Sequence, residues 1–326
     1  MTEVATLEPL LPSRVVHQFP APSWIENLAV RSNGQVLVTF ISAPEVYLID
    51  PSEPAKTVLI HKFSNVTAMS GIVEVENDKF YVAGGVCDVK TMTSEAGSYK
   101  LWEIDMATFD ATGEATVKEA LKLDKIACPN GLELLSRSKK IILAADCEHG
   151  ALFKIDIANG THEIALEVDE MRNPENPFIP VAINGVKVLK DYLYWTNTSK
   201  ALFCRAKIVE DGKSFGNVEI LHQGLIGDDF CFDSDDNAWV TQNPFNTVTV
   251  AKSAGGLVTA AGRIDLMDVA GATACRFDRR KGKEHLLYVV TNGGLAGPVN
   301  GHEVEGGKVT VVDTTTFKTE RTSLCN

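Results

Sequence analysis

The stretch that decides the fold is NGLELLSRSKKIILAAD (130–146), in which polar residues precede a short strand, a polar turn and a second strand that ends at an aspartate. The phrase recurs five times. The other copies are ENLAVRSNGQVLVTF from 26, SGIVEVENDKFYVAG from 70, NGVKVLKDYLYWTN from 184, DDFCFDSDDNAWVTQN from 228 and TACRFDRRKGKEHLLYVVTN from 273. The six starts lie 44, 60, 54, 44 and 45 residues apart, within or slightly above the period of four-stranded propeller blades.

Further strands follow each phrase. Third strands read VYLID, KLWEID, LFKIDI, LFCRAKI, TVTVAK and KVTVVDT, and outer strands read TVLIHKF, TVKEALKL, THEIALEV, NVEILHQ and LVTAAGRI. Each alternates with a period of two residues, as half-buried strands do. The sequence therefore predicts an all-β, six-bladed β-propeller with four-stranded blades and less than about 10% α-helix.

A ring of blades has to close, and two segments are candidates for the outer strand of the sixth blade. One is RVVHQF (14–19) near the N-terminus, and the other is KTERTSL (318–324) near the C-terminus. Pairing of the N-terminal strand with the last blade would leave no free sheet edge, and it is our first expectation. We expect residues 1–13 to be an N-terminal extension and residues 14–326 to form one propeller domain.

Charge and composition exclude several classes of protein. The net charge of −12 and the pI of about 5.1 argue against nucleic acid as a partner, because phosphates would be repelled. No apolar run of 18 residues and no signal peptide is seen, so we expect a cytoplasmic protein that binds no membrane. The seven cysteines include no CxxC pair, and we interpret most of them as reduced core residues.

The six recurring phrases, spread over about residues 14–315, resemble the gluconolactonase and regucalcin-like superfamily of six-bladed propellers. Squid-type phosphotriesterase is also related to it, and strictosidine synthase more distantly. Each motif is short, and the resemblance rests on their recurrence in register. It implies a propeller enzyme with a metal site at its channel.

In a propeller the first strand of every blade begins at the same end of the central channel. The first residues of the six phrases should therefore converge there; they are Glu26, Ser70, Asn130, Asn184, Asp228 and Thr273. Such polar side chains are costly to desolvate unless something satisfies them, and a divalent cation would. Because all the candidate ligands are oxygens, the set favours Ca²⁺, or another hard cation such as Mg²⁺.

The resemblance implies which of the six residues hold the metal. The family's set is a Glu in the first blade, Asn in the third and fourth, and Asp in the fifth; Glu26, Asn130, Asn184 and Asp228 occupy these positions. Asp228 is followed by Asp229 where the family usually has Gly, so either aspartate is a candidate ligand. A polar channel without metal remains the alternative, because Asn and Asp also form ordinary turns before strands.

Two long glycine-rich loops, 84–98 and 292–307, should emerge at the same end of the channel and form a lid. The connection MRNPENPFIP (171–180) should lie on the same rim, where Phe178 and Trp24 would contact substrate or pack between blades. Ser70 and Thr273 are further candidate substrate contacts. His302, the histidine in a lid loop, is a candidate general base or a solvated side chain.

Three functions are compatible with these residues. In the first, the cation polarises a carbonyl or phosphoryl oxygen and Asp228 acts as nucleophile or general base in lactone or ester hydrolysis. In the second, the same site orients a reactive small molecule for a biosynthetic step, as in strictosidine synthase or a hetero-Diels–Alderase. Thr273 in place of a catalytic carboxylate in the sixth blade keeps this reading open. It weakens the Pictet–Spengler version, for which the resemblance implies a Glu in the sixth blade and only Glu303 or Glu305 would substitute. The third is a propeller that only binds a protein partner. We expect a monomer.

Overall fold

The computed structural model describes residues 4–6, 9–52, 56–208, 212 and 215–317, and these residues form a six-bladed β-propeller. Each blade contains four antiparallel strands, and one further, parallel strand extends the sheet of blade five. The first strands of the blades contact one another in chain order, and the first strand of the sixth blade contacts that of the first. The ring is therefore closed, and the fold predicted from the repeats is confirmed.

The strands run in chain order around the ring. Two strands precede the first blade: β1 (Val4–Thr6) and β2 (Ser13–Gln18). Blade one contains β3 (Ile25–Val30), β4 (Val36–Phe40), β5 (Glu45–Ile49) and β6 (Thr57–Lys62). Blade two contains β7 (Ala68–Glu76), β8 (Lys79–Gly85), β11 (Lys100–Asp105) and β12 (Thr116–Lys122), with the small hairpin β9 (Cys87–Asp88) and β10 (Thr93–Ser94) in its long loop.

The remaining blades follow the same plan. Blade three contains β13 (Pro129–Ser136), β14 (Ile141–Asp146), β15 (Ala151–Asp156) and β16 (Thr161–Leu166). Blade four contains β17 (Ile183–Leu189), β18 (Tyr192–Asn197), β19 (Leu202–Ile208) and β20 (Phe215–Gln223). Blade five contains β21 (Phe230–Phe232), β22 (Ala238–Gln242), β23 (Thr247–Ala251) and β24 (Leu257–Gly262). Blade six contains β25 (Ala272–Phe277), β26 (Leu286–Thr291) and β27 (Lys308–Asp313).

Helix is almost absent from the described residues, as predicted. The one α-helix there is α1 (Phe109–Thr112), and two 3₁₀ turns cover Asp169–Met171 and Asn243–Phe245. Burial falls from the axis outward: all six residues of β3 are buried, whereas β6 has none that is fully buried. No helix within the described ranges is long and apolar enough to cross a membrane.

The N-terminal strand closes the ring. β2 pairs antiparallel with β27, with Arg14 opposite Val311, and so provides the fourth strand of blade six. This confirms the first of the two closures considered; the alternative segment, 318–324, lies outside the described residues. Upstream, β1 pairs in parallel with β24, and Leu11 is buried in the core between blades five and six.

Hydrogen bonds near the axis link neighbouring blades. Each runs from a buried hydroxyl to a backbone carbonyl oxygen of the next blade. They are Thr39 to Ser70 (2.6 Å), Ser70 to Pro129 (2.7 Å), Thr196 to Asp228 (2.6 Å), Thr241 to Thr273 (2.8 Å) and Thr273 to Ile25 (2.8 Å). Because a buried donor left unpaired is costly, these bonds fix the blades that they join relative to one another.

Glycines permit the same close approach in blades two to four. A Cβ atom on Gly71 would lie 2.1 Å from the carbonyl oxygen of Asn130, and one on Gly131 would lie 2.4 Å from that of Asn184. On Gly185 it would lie 2.7 Å from a carboxylate oxygen of Asp229. Each of these glycines directly follows a first residue of its phrase, so the small side chain lets adjacent first strands touch.

The cysteines agree with the core interpretation in the described part of the chain. Cys87, Cys128, Cys147, Cys204, Cys231 and Cys275 are buried and form no disulfide. Cys325 lies outside the described residues.

The contact at Gly131, where all the nearest atoms belong to the backbone, gives a stability prediction. Gly131→Ala should lower the free energy of unfolding by about 1–3 kcal/mol, because the new methyl group meets backbone atoms of blade four that cannot turn away. Gly297→Ala is the matched control, since a Cβ atom there has nothing within 4 Å, and it should change stability by less than about 0.5 kcal/mol. Urea denaturation measures both. Equal midpoints for the two variants would contradict the close approach of the blades.

Candidate active site at the channel mouth

The candidate site lies at the end of the channel where the first strands begin, which we call the channel mouth. Glu26, Asn130, Asn184 and Asp228 come from blades one, three, four and five and are all buried. Their positions follow from the fold, because each lies at or just before the start of a first strand. The four residues assigned to a metal by resemblance are brought together in hydrogen-bonded pairs.

The first pair is formed by Glu26 and Asn130. The amide nitrogen of Asn130 donates to Glu26 Oε1 over 2.8 Å, across the ring from blade three to blade one. The indole nitrogen of Trp24 donates to Glu26 Oε2 over 2.9 Å. Both carboxylate oxygens of Glu26 are therefore held by uncharged donors.

The second pair is formed by Asn184 and Asp228. The amide nitrogen of Asn184 donates to Asp228 Oδ1 over 2.9 Å, and that of Asn243 donates to Asp228 Oδ2 over 3.3 Å. Asn292 in turn donates to the side-chain oxygen of Asn243 over 3.2 Å. A chain of amides from blades five and six thus fixes the Asp228 carboxyl from the side opposite Asn184.

Burial shapes the electrostatics of both carboxyls. It raises the pKa of Glu26 from 4.5 to about 7, against the opposing effect of the hydrogen bonds from Asn130 and Trp24. Burial also raises the pKa of Asp228 well above its usual value, and the nearby charge of Glu26 adds to the effect. No Lys, Arg or His in the described ranges bonds to either group, so nothing positive there offsets the cost of ionising them.

Asp229, the next residue, lies in a different environment. It accepts hydrogen bonds from Lys187 (2.7 Å), Arg276 (3.1 Å) and Asn27 (3.2 Å). Although burial alone would raise its pKa, the charges of Lys187 and Arg276 lower it to about 2. Burial and the charge of Arg276 lower the pKa of Lys187. We assign the full negative charge to Asp229, since two cations contact it. The geometry therefore groups Asp228, and not Asp229, with the other three residues at the mouth.

The residues at the mouth fit a hard divalent cation. The side-chain oxygen of Asn184 is buried with no hydrogen-bond partner, although buried acceptors are nearly always satisfied. Beside it stand two carboxyls that no cation of the described chain neutralises. Two carboxylates and two amides are ligands that Ca²⁺ accepts. Within the described ranges no group of three or more His, Cys, Asp or Glu is placed to hold a metal. The candidate site at the mouth is not such a group, because two of its four residues are asparagines.

The two hydroxyl residues of the ring, Ser70 and Thr273, are fully buried. Both donate to backbone carbonyls of the next blade, as described above. Their hydroxyl protons are therefore engaged in holding blades together. Substrate contact by Ser70 and Thr273 stays a prediction.

An apolar wall stands beside Glu26. The side chains of this wall come from blade one, blade two and the loop that holds the β9–β10 hairpin; they are Trp24, Ile41, Ala68, Cys87, Val89 and Met92. Trp24 belongs both to this wall and, through its indole nitrogen, to the polar site. The wall therefore borders the polar groups directly.

The other two predicted residues lie outside the hydrogen-bonded group. The side chain of Phe178 is completely exposed on the connection that leads into blade four. His302 is exposed, and its Nδ1 lies 2.8 Å from the backbone oxygen of Asn300. No described hydrogen bond links His302 to Glu26 or Asp228. Roles in substrate binding and base catalysis stay predictions for these residues.

Sequence reasoning missed the amides behind Asp228. Asn243 and Asn292 each end the phrase of their blade, as Asn197 does in blade four. The recurring Asn at the end of the second strand was the available signal, because that position lies at the same mouth as the first residue of the phrase. The cluster of Lys187, Arg276 and Asp229 was also missed. Lys187 and Arg276 are each the fourth residue of their phrase and Asp229 is the second, so a basic residue recurring at the same position of two blades was the available signal.

Two curated proteins are similar to this chain over most of its length. A protein of Sarocladium schorii, named as a candidate hetero-Diels-Alderase (asR5), is 28% identical, covering 94% of this chain and 84% of its own. A protein of Phoma sp., also named as a candidate hetero-Diels-Alderase, is 25% identical, covering 86% of this chain and 87% of its own. No protein-family model matches the chain.

Solved structures share the fold. Regucalcin of Agrobacterium tumefaciens, described as a calcium-binding protein, superposes with a TM-score of 0.64 at 14% identity, covering 96% of both chains. A luciferin-regenerating enzyme superposes with a TM-score of 0.67 at 12% identity, covering 94% of this chain and 96% of its own. At these identities the similarity concerns the fold alone, and it confirms the propeller architecture implied by the sequence resemblance.

The raised pKa of Glu26 gives a pH prediction. In the folded protein Glu26 keeps its proton up to about pH 7, whereas the unfolded chain loses it near the ordinary value. Its contribution to the free energy of unfolding is therefore fully present below about pH 4.5 and is lost as the pH rises to about 7. Between pH 5 and pH 8, in chelator, the wild type should lose about 2 kcal/mol more than Glu26→Gln.

Urea denaturation at the two pH values measures this difference. Glu284→Gln, which alters an exposed carboxylate, is the control and should follow the wild type. Identical pH dependence in the wild type and Glu26→Gln would show that Glu26 is not a desolvated carboxyl.

Proposed function

We propose that this chain is an enzyme that orients a small reactive molecule at the channel mouth for ring closure, of the hetero-Diels–Alder type. The proposal rests chiefly on the Asp228 carboxyl, which is buried, held by two amides and bonded to no described cation. The names of two relatives that align along most of the chain support the same chemistry.

A hetero-Diels–Alder addition requires no nucleophile or base from the protein. In a hetero-Diels–Alder addition a four-atom unit ending in a carbonyl oxygen adds to an alkene; one C–O and one C–C bond form, and three π bonds become one. No atom leaves and no residue has to attack or accept a proton. The protein has to hold both reacting units in the productive orientation and favour negative charge on the carbonyl oxygen.

The described residues can perform both tasks. A neutral Asp228 carries a proton that it can donate to the substrate carbonyl, and burial strengthens such a hydrogen bond. Asn184 and Asn243 keep the carboxyl from rotating, so its direction is set before the substrate binds. The wall beside Glu26 offers apolar surface to the substrate and excludes water from that side.

We further propose that the mouth binds a divalent cation, with Ca²⁺ as the first candidate. Glu26, Asn130, Asn184 and an ionised Asp228 would hold it, and the cation would then take the place of the Asp228 proton in polarising a carbonyl oxygen. The unpartnered oxygen of Asn184 is the observation that supports this proposal. The name of the regucalcin structure agrees with calcium as the ion to test first.

Lactone or ester hydrolysis is the second candidate. The observation that favours it is the convergence of two carboxyls and two amides from four blades, which fits a metal-dependent hydrolase. Asp228 would then have to be ionised to activate water or attack the carbonyl. Its high pKa opposes that role unless positive charge is brought to the site.

The cation proposal predicts a stability change. Ca²⁺ at about one hundred times its dissociation constant should stabilise the folded protein by about 2.7 kcal/mol, because the unfolded chain lacks the assembled ligands. Glu26→Gln and Asp228→Asn should remove most of this effect, and Glu284→Gln should keep it. Thermal melts with calcium or chelator measure the shift. An equal shift in all four proteins would mean that calcium acts elsewhere, and no shift would exclude this cation.

Hetero-Diels–Alder addition and hydrolysis predict different activities for variants of Asp228. In chelator, where hydrogen bonding alone polarises the carbonyl, Asp228→Asn should retain ring-closing activity within about tenfold of the wild type, because an amide still donates a hydrogen bond, whereas Asp228→Ala should lose about a hundredfold or more. For a hydrolase, both variants should be inactive. The assays are stereoselective addition of an α,β-unsaturated ketone to an alkene, and hydrolysis of a lactone and ester panel with and without chelator.

Asp229→Asn is the matched control at the neighbouring position. It should lower the free energy of unfolding by about 3 kcal/mol or more, because it weakens the partner of two buried cations, and the folded fraction should remain active. Hydrolysis that depends on Asp228, with no stereoselective addition, would overturn the cyclase proposal. Loss of activity in folded Asp229→Asn alone would mean that the wrong aspartate has been assigned.

A further inference from the structure

A cleft of about 470 Å³ lies between blades four and five, away from the channel mouth. Its rim is formed by turns that join first to second strands and third to fourth strands, including Lys190, Asp236 and Lys252. These turns lie at the opposite end of the blades from Glu26 and Asp228. The cleft is therefore separate from the candidate active site, and its volume is within the range of small-molecule pockets.

The cleft exists because large side chains on blade four face small ones on blade five. Blade four contributes Tyr192, Tyr194 and Phe203, whereas the facing positions of blade five include Ala238 and Ala251. The rings support one another: Tyr194 is stacked on Phe203 with 6.1 Å between centroids and meets Phe232 edge-on at 4.9 Å. The walls are thus flat, aromatic and held in place.

One polar side chain in this apolar cleft has no described partner. His222 lines the cleft and is 9% exposed. Its ring is stacked on Phe203 at 6.4 Å, and no hydrogen bond to it is found among the described residues. Burial lowers its pKa, so the imidazole is neutral and presents one donor and one acceptor. The ring nitrogens are not among the fully buried side-chain atoms that lack a partner, so they are reached from the cleft, and a ligand there would hydrogen-bond to them.

The charges at the rim are balanced and do not select an ion. Lys190 is paired with Asp236, and Arg205 is paired with Glu219 over 2.8 Å while lying 4.5 Å above the Tyr192 ring. Lys252 and Asp191, which also line the cleft, have opposite charges. The interior therefore favours an uncharged ligand.

We propose that the cleft between blades four and five is a second binding site, for a neutral, planar aromatic molecule that carries a hydroxyl group. The aromatic ring of the ligand fits between the aromatic side chains of blade four and the alanines of blade five. The aromatic side chains there give offset or edge-on contacts to the ligand ring. The hydroxyl donates to the unprotonated ring nitrogen of His222. This site does not depend on the reaction assigned to the channel mouth.

Calorimetric titration with 2-naphthol tests the site. We expect saturable binding with one molecule per chain. His222→Phe keeps the size of the ring but removes its hydrogen bond and should weaken binding about fivefold. Decahydro-2-naphthol, which keeps the hydroxyl but is not planar, should bind more weakly. 2-Naphthoate should also bind more weakly, because its charge is not compensated. Ala251→Phe fills the cleft and should abolish binding.

His61→Phe is the matched control, because His61 lies on the outer strand of blade one at the position that His222 has in blade four. It should bind 2-naphthol as the wild type does, and so should Asp228→Ala. The proposal is overturned if the wild type shows no saturable heat, if His222→Phe binds equally well, or if Trp24→Ala at the mouth loses binding instead. Melting temperatures show whether each variant is folded. If Ala251→Phe is destabilised, the comparison of the wild type with His222→Phe still decides the proposal.

Discussion

The structure depends on hydrogen bonds from buried hydroxyls that join neighbouring blades near the axis, which are described at five of the six interfaces between blades. Buried hydroxyls such as Thr39, Ser70 and Thr273 donate to backbone carbonyls of the following blade. Where two first strands come closest, glycine removes the side chain that would hold them apart. These contacts set the diameter of the channel mouth. Polar side chains at the start of each first strand therefore meet their counterparts from other blades at hydrogen-bonding distance.

The same constraint explains why Asp228 and Asp229 differ so sharply. Residue 229 stands where blades two to four have the glycine that follows the first residue of the phrase, and its carboxylate occupies the interface with blade four. There Lys187 and Arg276 neutralise it. Asp228 faces the mouth and contacts only amides through its carboxyl in the described structure. One aspartate is thus a fixed ion in the scaffold, and the other is a carboxyl whose charge depends on what enters the site.

The repeats were sufficient to predict the six blades and their strands, because a period-two pattern and a regular spacing are local properties of the sequence. The closing strand was preferred from two candidate segments, because its pairing is not local. The convergence of Glu26, Asn130, Asn184 and Asp228 followed from the same geometry. Asn243 and Asn292 were missed because the predicted site contained only residues at the starts of first strands, whereas these two lie at the ends of second strands. The cleft beside His222 was not predictable, since it arises from a mismatch in side-chain size between residues that only the packing of blades four and five brings together.

Closure of the ring by β2 also affects how the chain folds during its synthesis. Arg14 pairs with Val311, so a strand that is synthesised before blade one has to wait for a strand that is synthesised after blade five. Blades one to five have their four strands within continuous segments and can form as synthesis proceeds. Blade six cannot, and until it forms, the edge of β27 and the apolar face of β2 remain uncovered. Such long-range pairing is slow, which makes the last step of folding the one at which unfinished chains are most exposed to aggregation.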